Sequence, residues 1–341
     1  MAAAPGGPFA SAEERPDLKA WGNAGALATL LLIAVAIVVA YLVIPPFPFW
    51  GAVRLGLVYA FVGLGVYLSF RVLDFPDLTV DGSFPLGAAV VATMLVAGVN
   101  PWLATLAAML AGGAAGLVTA FLNVRFRILH LLASILTMTA LFSINLRIMG
   151  APNVSLLRQE TIFTPFSGVR IDNVDVTPLI VLSVLVLAAL GVLIWFLNTD
   201  FGLGIRATGA NPRMARSQGV KTNANIYAGM ALSNGLVGLA GALFAQTTTY
   251  ADATSGRGTI VIGLAAVIVG ETLFRFRGMW AALVGCVIGA VLYYLARQTA
   301  LDLGQPGELL DWLEPSDLSL ITAVIVALAL ILPRLRIGWR R

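Results

Sequence analysis

Apolar runs of 15 to 22 residues recur along the whole chain, each closed off by charge, proline or glycine. They fall at Ala24–Ile44, Gly51–Phe70, Gly82–Val99, Trp102–Leu122, Leu129–Met149, Val176–Leu197, Ile226–Ala245, Ile260–Phe274, Gly278–Ala296 and Leu318–Leu332, ten in all. A helix crossing a hydrocarbon core of roughly 30 Å takes about 20 such residues, and only structures that bond their own backbone groups can do so. The alternative, a chain coated by water, fails on charge. Of 341 residues 59% are hydrophobic and 11% charged, against roughly 25% charged in an average soluble domain. That excludes an ordinary globular enzyme, a disordered tail and a nucleic-acid module. The 21-residue first run exceeds the roughly 7–15 residues of a signal-peptide core and reads as a retained span. The 15-residue runs at Ile260–Phe274 and Leu318–Leu332 give about 22 Å of helix. The former reads as a broken or half-spanning helix and the latter as one extended by its flanks.

Basic residues orient the spans. With ten crossings and a cytoplasmic N-terminus, six of the 21 basic residues fall outside, namely Arg54, Arg147, Arg158, Arg170, Arg257 and Arg297, and the other fifteen inside. The cytoplasmic side is the side that carries such an excess, so the net charge of +4 reports orientation, not a polyanionic partner. The expectation is an all-α polytopic membrane protein of about ten transmembrane helices with both termini cytoplasmic. It divides into a leader at 1–23, a transmembrane domain at 24–333 and a basic tail at 334–341. An internal repeat at an offset of 176 residues aligns Gly82, Ser83, Leu86 and Gly87 with Gly258, Thr259, Ile262 and Gly263. The two copies enter the membrane from opposite sides in this topology, the pattern of inverted repeats that flank a path near the midplane. The outer segments Ala151–Asp175 and Gln298–Asp317 are expected to hold short surface helices.

The longest internal loop, 198–225, carries Arg206, Arg213, Arg216 and Lys221 against Asp200 alone. Within it Asn211 can cap a helix that begins at Pro212 and stops at Gly219. Arg213 and Arg216, three apart, share a face of that helix. Two readings stand on physics alone: a solvated positive loop, or a preformed knob for a cytosolic protein. The segment Gly204-Ile-Arg-Ala-Thr-Gly-Ala-Asn-Pro-Arg-Met-Ala-Arg-Ser-Gln-Gly-Val220 resembles the coupling-loop signature of ABC importer permeases of the branched-chain amino acid and ribose type. The resemblance implies that Arg206, Gly209, Asn211, Pro212, Arg213, Ala215, Arg216 and Gly219 form the coupling helix that docks into an ATPase subunit.

A second polar cluster, Asp74-Phe-Pro-Asp77-Leu-Thr79-Val-Asp81-Gly-Ser83-Phe, sits at the entrance of an apolar run. It reads either as a capped loop, with Asp81 or Ser83 as the cap, or as a polar break in a helix lining a path. The stretch is similar to the Asp-Leu-Ser-Val-Gly-Ser box of ribose-type permeases, with Asp81 added, and its longer form resembles a narrower tryptophan/tyrosine-type subgroup. Gly258–Thr272 is similar to the Ala-Ala-Val-Val-Leu-Gly-Gly segment of the same family, with Glu271 in place of a glycine. Glu271 is either an interfacial ion-pair partner, with Arg275 and Arg277 nearby, or a path residue. Asp77, Thr79, Asp81, Ser83 and Glu271 are the candidate path residues.

The other exceptions to apolarity have packing as their first reading. Gly112–Gly116 and Gly235–Gly241 allow close helix contact or a dimer face; His130 has a structural bond near Ser134 or a functional role; Asn145, Asn234 and Gln246 must find partners inside the bundle. Only Lys19 and Lys221 exist, so no phosphate-binding Gly-x-x-x-x-Gly-Lys-[Ser/Thr] loop can form, and one His with one Cys makes no His/Cys metal site. The resemblance therefore implies a transport subunit and not an enzyme: the permease of a bacterial ABC importer in the cytoplasmic membrane. It implies as partners an ABC ATPase that uses ATP on its own chain, an extracytoplasmic substrate-binding protein, and a second permease copy, most simply as a homodimer. The implied solute is an amino acid, with a sugar or nucleoside behind it. An ion-coupled secondary carrier using Asp77, Asp81 or Glu271 is the competing reading.

Overall fold

The computed structural model describes residues 41, 44–166, 170–171, 174–273 and 278–303. Most of the first apolar run, the run Leu318–Leu332, the leader 1–23, the tail 334–341 and Arg275 and Arg277 lie outside the described residues. Each of the other eight apolar runs forms a helix. They are α1 (Pro46–Val66, continued by a π turn Tyr67–Val72), α2 (Val80–Val96), α3 (Pro101–Phe126), α4 (His130–Met149), α5 (Thr177–Leu197), α8 (Thr222–Thr248), α9 (Thr259–Leu273) and α10 (Met279–Leu303). Between α5 and α8 lie α6 (Asp200–Ala210) and α7 (Pro212–Ser217). Among the described residues six helices are long and apolar enough to cross a membrane, whereas α2 and α9 are shorter. Proline at the start of α1, α3 and α5 fits the first helical turn, where no N–H is needed. The Asn100 side chain accepts from Trp102 N at 2.9 Å to cap α3, and Gly150, at φ 68°, closes α4.

Two departures from an all-helical reading occur on the connections. β1 (Asn153–Ser155) pairs antiparallel with β4 (Tyr250–Asp252), and β2 (Arg170–Ile171) with β3 (Val174–Asp175). The segment Ala151–Asp175, expected to hold surface helices, thus carries short ribbons and one 3-10 turn at Thr164–Phe166.

The small-residue stretches explain the centre. α8 packs against α1, α2 and α3, and α3 approaches it so closely that a Cβ on Gly112 would lie 2.4 Å from Asn234 O and one on Gly116 2.2 Å from Met230 O. Lipid supplies little hydrophobic drive between helices, so such contact supplies dispersion instead. The opposite pattern marks the periphery: on α5 Leu187, Val192 and Trp195 are all exposed, as suits a helix whose solvent is hydrocarbon.

Two short helices give the bundle its polarity. α2 begins beside the start of α9, since Asp81 meets Gly258 and Ile260. From there α2 leads toward the β1–β4 ribbon, where Ala88, Ala92 and Leu95 pack with Met149, Leu156 and Ala251. α9 leads the other way, and in its last turn Glu271 meets Arg71 at the end of the π turn. The two segments aligned at an offset of 176 are therefore short helices that start together and run apart.

Candidate functional site

The polar break between α1 and α2 is held by a chain of buried groups. After the π turn, whose wider winding often marks functional positions, the backbone turns through Asp74 at φ 54°. Asp77 folds back on itself: its Oδ1 accepts Thr79 N at 2.9 Å, the local bond an aspartate makes two residues ahead. Its Oδ2 accepts Asn234 Nδ2 at 2.6 Å, and Ser83 Oγ donates to Asn234 Oδ1 at 2.7 Å. Thr79 and Thr119 share a hydroxyl bond of 2.7 Å. All five residues are buried. A carboxyl group removed from water is costly unless its oxygens find donors, and here one neutral donor reaches each oxygen and offsets part of that cost. Asn234, midway along α8, joins both ends of the break to the central helix.

Asp81 departs from the sequence expectation. Neither it nor Ser83 caps α2, whose N-cap is Thr79 with no side-chain bond. Asp81 instead caps α9 across the junction: its Oδ1 accepts Ile260 N at 2.8 Å and its Oδ2 accepts Gly258 N at 3.3 Å. A carboxylate at a helix start meets both the unpaired N–H groups and the positive end of the dipole. Pro85 has no N–H to return to the Asp81 carbonyl, and Gly256 fills the space against that oxygen, where a Cβ would stand at 2.0 Å. Beside the junction Asn145 Nδ2 donates to Gly82 O at 3.2 Å, while its Oδ1 is buried without a partner. Asp81, Gly82, Asn145 and Arg257 line a cavity of about 300 Å³ here.

Glu271 lies apart from these groups. It makes a two-bond ion pair with Arg71, Nε to Oε1 at 2.7 Å and Nη2 to Oε2, tying the end of α9 to the end of the π turn. The ion-pair reading of Glu271 holds, with a partner 200 residues away in sequence. His130 is also placed differently. It stacks on Phe75 with ring centroids 4.1 Å apart, while Ser134 Oγ donates to Leu131 O.

At the same end as the Arg71–Glu271 pair, α6 and α7 build the basic loop. Asn211 Oδ1 accepts Met214 N at 3.1 Å, Pro212 opens α7, and Gly219 leaves it at φ 82°. Ala215 is buried, whereas Arg213, Met214 and Arg216 are exposed. Arg216 donates through Nη2 to Thr222 Oγ1 at 3.1 Å, so it fastens α7 to the start of α8, leaving Arg213 the freer of the pair. Gly209 is a seat: a Cβ there would stand 2.1 Å from Val72 O. Arg206, exposed, borders a groove of about 720 Å³ with Arg71 and Asp74. The sequence reading does not anticipate α6, although Thr199, which accepts from Gly202 N at 3.3 Å, is a recognisable cap.

The structure thus brings Asp77, Thr79 and Ser83 into one network with Asn234 and Thr119, places Asp81 at an adjoining junction with Asn145, and sets Glu271 at the far end of α9. Thr119, Arg71 and Arg257 carry no sequence signal beyond their own polarity. Gln246 finds partners away from the break, Thr105 Oγ1 at 2.9 Å and Ile162 N at 3.0 Å.

These features define a multi-pass membrane protein whose helices are interrupted at a buried polar junction and whose one end presents a basic, capped helix. The chain belongs to the family described as "Branched-chain amino acid transport system / permease component", matched over residues 49–333. It is 35% identical over 285 residues to a tyrosine transport system permease protein of Clostridioides difficile, covering 84% of this chain and 91% of that one. It is 29% identical over 237 residues to a D-allose transport system permease protein of Escherichia coli, covering 67% and 70%. A ribose import permease protein of the same organism is 29% identical over 220 residues, covering 63% and 66%. No solved structure matches the chain. The protein is accordingly the permease component of an ABC importer, a transport subunit and not an enzyme. Membership implies an ATPase and a substrate-binding protein as partners in general.

Proposed function

We propose that the chain is the permease subunit of a bacterial importer that moves an amino acid inward across the cytoplasmic membrane. The reading rests most on the relative at 35% identity, which spans nearly all of both chains and is itself named for tyrosine transport. The sugar permeases match less of the chain. On this reading Asp77, Thr79, Asp81 and Ser83 border the path, and two copies of the chain face each other across it. A binding protein delivers the solute from outside, and the ATPase binds and hydrolyses ATP on its own polypeptide. The α7 knob, with Arg206, Gly209, Asn211, Pro212, Arg213, Ala215, Arg216 and Gly219, carries ATPase closure into the bundle. Its cap supports this role: a short helix held at both ends transmits a push without unwinding.

The test is uptake by the reconstituted complex with its binding protein. ATP-dependent accumulation of tyrosine or another amino acid, and not of ribose or allose, is expected. Replacing Arg213 and Arg216 by Glu should abolish association with the ATPase or its stimulated hydrolysis. Full ATP-driven uptake by that double variant would sink the coupling role, and uptake of sugars alone would sink the amino-acid reading.

A further inference from the structure

The cavity beside the α2–α9 junction is bordered by two groups whose bonding is incomplete, Asp81 and Arg257, with a third, Asn145, buried behind its wall. Asn145 is fully buried, and its orientation is fixed because Gly82 O can only accept, so Nδ2 must point there. Its Oδ1 is left with no partner, a state that buried polar atoms rarely keep. Asp81 accepts one backbone N–H on each oxygen, while a carboxylate has about four acceptor positions. Arg257 is exposed and has no ion-pair partner among the described residues. An anionic group and a guanidinium without an ion pair among the described residues therefore border one space, whose wall combines the apolar Pro85, Met138 and Phe142 with the hydroxyl residues Thr139 and Thr254.

We infer that this cavity recognises the zwitterionic head of a single α-amino acid inside the permease. The ammonium bonds to Asp81, the carboxylate pairs with Arg257, and the side chain lies against Pro85, Met138 and Phe142. The cavity's volume of about 300 Å³ is at the small end of ligand pockets, about 300–1,000 Å³, which suits one amino acid. The identity of the solute rests on the amino-acid reading above; the assignment of the site rests on the residues themselves.

The test uses the permease–ATPase complex in lipid nanodiscs, without binding protein, and p-azido-L-phenylalanine as a photoreactive zwitterion. Crosslinks are expected within residues 138–145 or 253–257. L-Tyrosine should compete at a concentration at least about tenfold below that of tyramine or 3-(4-hydroxyphenyl)propionate, since each of these lacks one charge and so forgoes one charge-assisted hydrogen bond. Arg257→Gln should erase the difference between tyrosine and tyramine, and Arg257→Lys should retain part of it. Asp81→Asn should weaken labelling about tenfold, with the melting temperature of the variant measured alongside. Labelling elsewhere, or equal competition by all three compounds, overturns the site. If the complex imports tyrosine while the cavity stays unlabelled, the site falls and the import reading stands; if the cavity is labelled as expected while only sugars are imported, the site stands and the substrate reading falls.

Discussion

Asp81 Oδ1 accepts the backbone N–H of Ile260 at 2.8 Å, so a side chain from the first turn of α2 completes the first turn of α9, 179 residues later. Removing the cap by Asp81→Ala should cost about 1 kcal/mol, seen as a lower melting temperature of the detergent-purified protein. Asp81→Asn keeps an acceptor for Ile260 N and should recover most of that loss. Equal melting for the two variants would show that the bond contributes nothing.

Asn234 bridges Asp77 and Ser83, with bonds of 2.6 and 2.7 Å. Asn234→Leu strands both groups in the interior and is expected to cost about 3 kcal/mol or more. Asp77→Asn should be far milder, because an amide flip at Asn234 restores an acceptor for the new donor. Denaturation curves of the two variants give the comparison, and the reverse order would contradict the network.

Glycine positions make a matched pair. A Cβ on Gly116 would press on Met230 O at 2.2 Å, whereas Gly191, within α5, has nothing within 4 Å. Gly116→Ala should therefore lower thermal stability, and Gly191→Ala should leave it unchanged or raise it by up to about 1 kcal/mol through helix propensity. Similar melting for both would mean that α3 and α8 are not as close as described.

The Arg71–Glu271 pair is more than half exposed on the arginine side, at 57%. A double-mutant cycle with Arg71→Gln and Glu271→Gln should give a coupling of only about 0.2–1 kcal/mol, shrinking as salt rises. A coupling above about 3 kcal/mol would mark a buried pair and contradict the exposure.

Asn211→Ala removes the acceptor for Met214 N and should fray α7 by about 1 kcal/mol. The expected readout is ATP hydrolysis that no longer responds to the binding protein, with Asn211→Asp close to the parent chain. Unchanged stimulation in Asn211→Ala would separate the cap from coupling.

The eight apolar runs within the described residues are legible as helices because lipid imposes one rule, an apolar run with its backbone bonded internally. Asn211, Pro212 and Gly219 are legible for a similar reason, since a cap is a local bond readable from neighbours. The misplacements share the opposite cause. Asp81 looks like the cap of its own helix, yet the N–H groups it meets belong to residues near 260; Glu271 is legible as an ion-pair member, but Arg71, reaching it from another helix, is not legible as its partner. Asn234 declares only that it needs a partner. Which partner depends on how α8 is threaded between α2 and α3, and the spacing of residues in one chain does not encode that directly.

The head-to-head meeting of α2 and α9 has a mechanical corollary. The carboxylate and the helix start it neutralises sit on opposite arms, and pulling them apart would bare both inside an apolar slab. Any movement of α2 against α9 is cheapest if it turns about this bond without breaking it, which makes residue 81 a fulcrum between the two short helices.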